Sequence, residues 1–423
     1  MPLRSLHLPR ITVDLGALRA SRELRWLVLG NFVSGMGTQA GLVALPYQIY
    51  IQTRSALLTG LLGAVELGPL IAMALLGGAL ADRMDRRRLL AIDQIGLVAV
   101  PAALCAATLA GSPPLGLLYV LGGLLAGFGA LQNVARSAIV PNLVAREQMP
   151  AALAVNFGLY QLTMVVGPGL GGLLIGAVGV AGAYGADALS CLAMVAALRQ
   201  LSPQLPEGDR ERLAIGRSIL EGLRFVRRSP ALLGSFAIDL SAMTFGMPRA
   251  LFPVLAVSVY GAGASGTGLL FASVSAGAAV AALTTRWLDH VRRLGLVTIA
   301  AVCIWGLAIA GAGIVTSLWP AAALLAIAGA ADSVSAVCRS VINQTVTPDA
   351  LRGRMSSVFS LVVTSGPRLG DVEAGLVASL TSARFSVLSG GLACVAAALV
   401  IATAFPALAR YDKDAALKQP VAV

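Results

Sequence analysis

Lysine is almost missing from this 423-residue chain: only Lys413 and Lys418, both near the C-terminus, stand among 31 cationic side chains. No Gly-rich loop can therefore end in the Gly-Lys-Ser/Thr that cradles nucleotide phosphates, so ATP-driven chemistry is excluded. Histidine is equally scarce, at His7 and His290, and Cys105, Cys191, Cys303, Cys338 and Cys394 stand singly with no C-x-x-C spacing. That pattern excludes a His/Cys metal site and a disulfide framework, and the lone cysteines read as small apolar side chains. No enzyme, metal or cofactor is expected. Aromatics make up only 5% of residues, too few to suggest an aromatic cage for a cation. Charged residues are scarce at 12%, and apolar ones reach 57%, against about 25% and 45–50% in soluble proteins. The net charge of +11 could suit nucleic acid, but the arginines punctuate apolar runs instead of forming a basic domain. Nucleic acid is excluded and a lipid bilayer takes its place.

Windows free of Asp, Glu, Lys and Arg run from Trp26 to Thr53, Gln94 to Ala135, Gln148 to Ala186, Ala250 to Thr285, Leu294 to Ala331 and Phe385 to Ala409. A transmembrane helix takes about 20 residues, so the first and last windows hold one span each and the middle four hold two. Breaker clusters divide three of these: Gly111 to Pro114, Gly261 to Gly266 and Thr316 to Pro320. The stretch from Gly179 to Gly185 divides the fourth. Spans over Leu57–Ala79, Ser229–Val257 and Met355–Leu380 bring the expected total to twelve helices. The run from Trp26 lacks a small-residue cleavage site and reads as a retained helix.

With the N-terminus in the cytoplasm, 27 cationic residues fall on inside segments and two, Arg54 and Arg384, on outside loops; only Arg249 and Arg368 are expected within spans. The positive-inside rule thus predicts a multi-pass inner-membrane protein with both termini cytoplasmic. The longest polar stretch suggests residues 1–199 as one six-helix bundle, 200–229 as a cytoplasmic linker and 230–423 as a second bundle. An internal repeat agrees: Arg136-Ser137 precedes Gly167-Pro168-Gly169-Leu170-Gly171, and Arg339-Ser340 precedes Gly366-Pro367-Arg368-Leu369-Gly370. Two homologous bundles about a central cavity are its simplest physical reading.

Between spans two and three lies Gly78-Ala79-Leu80-Ala81-Asp82-Arg83-Met84-Asp85-Arg86-Arg87-Arg88. In this twelve-span frame it resembles the loop G-x-x-x-D-(R/K)-x-G-(R/K)-(R/K) of the major facilitator superfamily, with Gly78, Asp82, Arg83, Arg86 and Arg87 matching and Asp85 replacing the second Gly. The resemblance implies an all-α polytopic fold of two pseudo-symmetric six-helix bundles, and a cytoplasmic latch built on these residues. In span five, Gly167-Pro168-Gly169-Leu170-Gly171-Gly172 resembles the G-P-x-x-G-G core of the superfamily's antiporter motif, although Thr163 stands where that motif has a further Gly. Small residues allow close helix packing and Pro168 removes a backbone donor. The segment Thr347-Pro348 to Gly353-Arg354 is similar to the T-P-x-x-x-x-G-R of the enterobactin-exporter-like branch. That resemblance implies export of siderophores, drugs or other lipophilic compounds in exchange for protons.

Coupling of this kind needs ionisable groups inside spans, where they are costly unless paired or facing a cavity. The candidates are Glu66, Asp239, Asp371 and Glu373, with Asp93, Asp187 and Asp332 nearer span ends. Glu66 has no cation in its own span and is the first choice; Asp371 follows Arg368 by one helical turn. For the cavity lining, Asn31, Gln39, Asn156, Tyr160, Gln161, Arg249 and Arg368 are the candidates, a modest polar set that suits an amphipathic substrate. The sequence reading is a proton-coupled exporter acting as a monomer; a proton-coupled importer and a non-transporting sensor or scaffold are the alternatives.

Overall fold

A computed structural model describes residues 21–81, 84–139, 143–144, 148–202, 215–348 and 351–414. Among them there is no strand, and the helices long enough to span are α1 (Arg22–Thr53), α2 (Ala56–Ala81), α3 (Arg86–Leu109), α4 (Leu115–Ile139), Met149–Leu198, α7 (Pro230–Val259), α8 (Gly263–Thr284), α9 (Leu294–Ile314), α10 (Leu318–Val346), α11 (Arg352–Leu380) and α12 (Ala383–Ala404). The 50-residue element Met149–Leu198 is two spans, because Gly179 sits at φ 78 and ψ 175, outside the helical region and accessible at low cost only to glycine. Its first part, 149–178, is α5 and its second, 180–198, is α6. Among the described residues these make twelve helical segments of spanning length, of which α11 is the most charged. The boundary expected at the Gly179 stretch therefore falls at Gly179 itself.

Local chemistry fixes the helix ends. The Ser21 hydroxyl accepts from the Leu24 N–H at 3.1 Å to start α1, and the Asp85 carboxylate accepts from Arg87 N–H at 2.9 Å to start α3. Asp85, the departure from the loop pattern, is thus a helix cap. Turns at Gly111 and Gly261 have positive φ, as the breaker clusters predict. Large apolar side chains such as Ile95, Leu173, Leu189 and Val400 lie exposed on the outside of the helices, the arrangement a lipid-facing surface requires.

Charge-free windows cut several helices short: α3 begins at Arg86, before Gln94, and α6 runs past Ala186 to Leu198. α10 continues past Ala331 through Asp332 and Arg339 to Val346, and α4 continues through Arg136 to Ile139. Arg339 is 4% exposed, so this arginine lies buried within a span, which the windows had ended at Ala331. Its charge does not end the helix because it is neutralised inside the protein: Arg339 pairs through Nη1 with Asp239 of α7 and through Nη2 with Asp332 at 3.5 Å. Asp93 and Asp187 likewise lie buried within α3 and α6, away from the span ends.

The helices pack in two groups. α1 lies along α5 and α6, α2 on α4, and α3 on α4 and on α5–α6; α9 lies on α10 and α12, α8 on α10, and α7 on α11 and α12. The two groups meet where α2 crosses α11 and where α8 crosses the α5–α6 element. The internal repeat has the same packing role in each group. A Cβ on Gly167 or Gly171 would lie 2.7 Å from Gln39 Cβ or Ala40 Cα of α1, and one on Gly366 or Gly370 would lie 2.8 Å from Met243 Cβ or 2.5 Å from Met243 O of α7. Both G-P-x-L-G segments thus hold a spanning helix against the first helix of its own group.

Candidate functional site

Between the groups lies a cavity of about 410 Å³. Its walls come from α1, α2, α4 and α5 on one side and from α7, α8 and α11 on the other. At one end the groups touch backbone to backbone. A Cβ on Gly172 of α5 would stand 2.8 Å from Gly268 Cα of α8, and one on Gly60 of α2 would stand 3.0 Å from Gly375 Cα of α11. Tyr50 of α1 also hydrogen-bonds Ser258 of α7. All six of these residues lie far along the chain from the helix ends that carry the termini, so this closure seals the end of the molecule opposite them. The cavity lining extends from Pro46 back to Val28 on α1, toward the end that carries the N-terminus.

Six of the seven residues expected to line the cavity do so: Asn31, Gln39, Asn156, Tyr160, Arg249 and Arg368. Gln161 of α5 does not. Sequence reasoning missed Gln132 and Asn133 of α4, Thr163 of α5 and Thr364 of α11. The polar pair Gln132-Asn133 just before Arg136 was the available signal. Thr163 explains itself: its Cγ2 would lie 3.0 Å from a Cβ on Gly35, so the small residue this crossing needs is on α1 instead of α5. Arg136 packs over the Tyr160 ring, 5.6 Å from its centre, in a cation–π contact at the cavity wall.

The acids separate into distinct roles. Glu66 is not isolated: its Oε2 lies 3.4 Å from Arg368 Nε, an ion pair that joins α2 to α11 on the cavity wall. Its partner was invisible from α2 alone because it comes from the other group. Asp371 is not in that pair; its Oδ1 accepts from the Ala250 N–H of α7 at 2.8 Å. Glu373 is half-buried and does not line the cavity. Asp239 is also off the cavity, in the buried cluster with Arg339 and Asp332, where Arg339 Nε donates to the Ser335 carbonyl at 3.4 Å and Ser235 donates to Asn343 at 3.2 Å. This cluster ties α7 to α10. Replacing Arg339 by Met is expected to leave two inward carboxylates without a cation and to cost about 3–5 kcal/mol. The measurement is the thermal melting of purified protein; a wild-type melting temperature would contradict the structural role.

Of the expected latch, Asp82 and Arg83 lie outside the described residues. Gly78 is in the last turn of α2, and Arg86 opens α3. Arg87 donates through Nε to the Leu198 carbonyl at 2.9 Å, capping α6 within its own group.

A glycine-tight, two-group helical bundle with a central polar cavity agrees with the comparisons. The family described as "Transmembrane secretion effector" matches residues 15–422. The chain belongs to this family of the major facilitator superfamily. The transporter is 31% identical over 401 residues to the enterobactin exporter of Salmonella choleraesuis (strain SC-B67), covering 92% of this chain and 94% of that one. It is likewise 31% identical over 400 residues to the enterobactin exporter of Escherichia coli O127:H6 (strain E2348/69 / EPEC), with the same coverage of 92% and 94%. Among solved structures, the nucleoside transporter NupG is similar at TM-score 0.74 and 12% identity, covering 91% of this chain and 99% of that one. A POT family transporter in complex with 5-aminolevulinic acid is similar at TM-score 0.71 and 11% identity, covering 92% and 97%. At those identities the solved structures establish the transporter's fold and nothing more.

Proposed function

We propose that this transporter exports a small amphipathic molecule of the siderophore type from the cytoplasm in exchange for protons. The observation that carries the reading is the Glu66–Arg368 pair, which bridges the two helix groups inside the cavity. Protonating the carboxylate of such a pair removes the charge attraction that draws α2 to α11. Proton binding and bridge closure therefore compete, which is what coupling requires. Residues 1–199 and 230–423 are the two halves that move, joined by the linker 200–229. Both termini lie in the cytoplasm of a multi-pass inner-membrane protein, as the arginine distribution supports, so the cavity opens inward in this conformer.

The names of the curated relatives support export, as does the antiporter-like glycine pattern of α5. Chemically, the cavity suits an amphipathic substrate: Asn31, Gln132, Asn133 and Asn156 supply polar groups against Leu62, Leu70 and Phe271. The transporter acts as a monomer in this reading, since the whole cavity is built within one chain. In siderophore-producing cells that lack the protein, intracellular siderophore is expected to rise and the amount in the medium to fall; expression should reverse both. Higher intracellular levels on expression would replace export by import.

A further inference from the structure

α7 is broken inside the bundle. Residues 246–248 leave the helix between Phe245 and Arg249, and Pro248 has no N–H to continue it. Backbone freed inside a membrane protein must find protein partners, and here it does. The Trp305 indole donates to the Gly246 carbonyl at 2.6 Å, and the Ala250 N–H is taken by Asp371 at 2.8 Å. The break is thus supported from α9 and α11, and it places Arg249 on the cavity wall.

A guanidinium at this depth is costly without an anion. Glu66 forms its ion pair with Arg368 at 3.4 Å and Asp371 accepts from the Ala250 N–H, so these two carboxylates act on Arg249 through space without a direct bond. Among the described residues no carboxylate pairs with Arg249 within 4.0 Å. Across the same cavity, neither side-chain atom of Asn31 has a hydrogen-bond partner among the described residues. A guanidinium with no direct carboxylate contact and an amide without a partner thus line one cavity with the apolar Phe271 and Leu62.

We propose that Arg249 is the docking point for an anionic oxygen group on the transported molecule, so that the substrate class is amphipathic organic acids. This rests on the cavity being the transport site, as proposed above. Arginine holds a carboxylate by two parallel N–H bonds; the apolar remainder of such a molecule lies against Phe271 and Leu62.

The test uses full-length protein in zwitterionic lipid nanodiscs and three probes of one shape: phenylacetate, phenylacetamide and phenethylammonium, measured by equilibrium dialysis. Phenylacetate is expected to bind about tenfold more tightly than the amide, and more tightly still than the ammonium, as a charge-assisted contact requires. In Arg249→Gln the acid and the amide should bind within about twofold of each other, and Arg249→Lys should keep most of the preference. Equal binding of acid and amide by the wild type, no binding of the acid, or a preference that survives Arg249→Gln would overturn the proposal. The wild-type ratio decides even if a variant fails to fold. If siderophores are exported from vesicles while acids show no preference, this proposal fails and the exporter reading stands. Arg249-dependent acid binding without any transport sinks the exporter reading alone.

Discussion

Glu66→Gln is expected to abolish pH-driven efflux while leaving the protein folded in the membrane and able to bind its substrate. The change keeps the shape and hydrogen-bonding capacity of the side chain but removes its proton-linked charge. It also takes away the attraction that draws α2 to Arg368 of α11. Coupling between two sites in a protein is typically about 1–3 kcal/mol, or roughly 5- to 150-fold. A loss within that range should bring gradient-driven transport close to background. Arg368→Gln should fail in the same assay for the opposite reason, since Glu66 is left inside without its cation. The double variant should be less impaired in expression and melting temperature than Arg368→Gln alone, because no unpaired charge remains. Undiminished gradient-driven efflux by Glu66→Gln would remove the basis for coupling at this pair.

Gly172→Leu is expected to be the second most damaging change, through packing instead of charge. A Cβ at that position would stand 2.6 Å from the Ala264 carbonyl oxygen and 2.8 Å from Gly268 Cα. Both atoms are backbone of α8, so no side chain can swing away, and the helices must part. Overpacking of this kind costs about 1–3 kcal/mol, and here the cost falls only on the conformer sealed at that end. Cysteines introduced near Tyr50 or Gly60 should become more accessible from that side, and net efflux should fall about tenfold or more. Gly176→Leu on the same helix is the control, because a Cβ there meets nothing within 4 Å. Equal transport by Gly172→Leu and wild type, or equal damage from Gly176→Leu, would contradict the account of this closure.

Much of the fold was legible because the bilayer simplifies the problem. Span lengths, breaker clusters and arginine positions all follow from excluding unpaired polar groups from lipid, and Gly179, Gly111 and Gly261 lie where those signals pointed. The helix ends and the ion pairs were missed for one cause. A window that stops at the first charge cannot recognise a charge neutralised by another helix, so Asp332 and Arg339 were placed outside α10, and Glu66 was taken as unpartnered. The cavity lining was largely readable from polar residues in α1 and α5, whereas Gln132 and Thr364 needed the helix orientations that only packing supplies. The break in α7 has a local cause in Gly246 and Pro248, but its partners, Trp305 and Asp371, are far along the chain. No rule based on neighbouring residues could have paired them.

The most direct test of coupling at the Glu66–Arg368 bridge is proton movement in everted membrane vesicles energised to an acidic interior and read with a fluorescent pH probe. Siderophores are added one at a time to vesicles holding wild-type protein, Glu66→Gln or no transporter. At least one compound should release protons from wild-type vesicles in proportion to the compound taken up, and the same compound should release none through Glu66→Gln. Uptake without proton release by the wild type, or identical release by Glu66→Gln, would contradict the account.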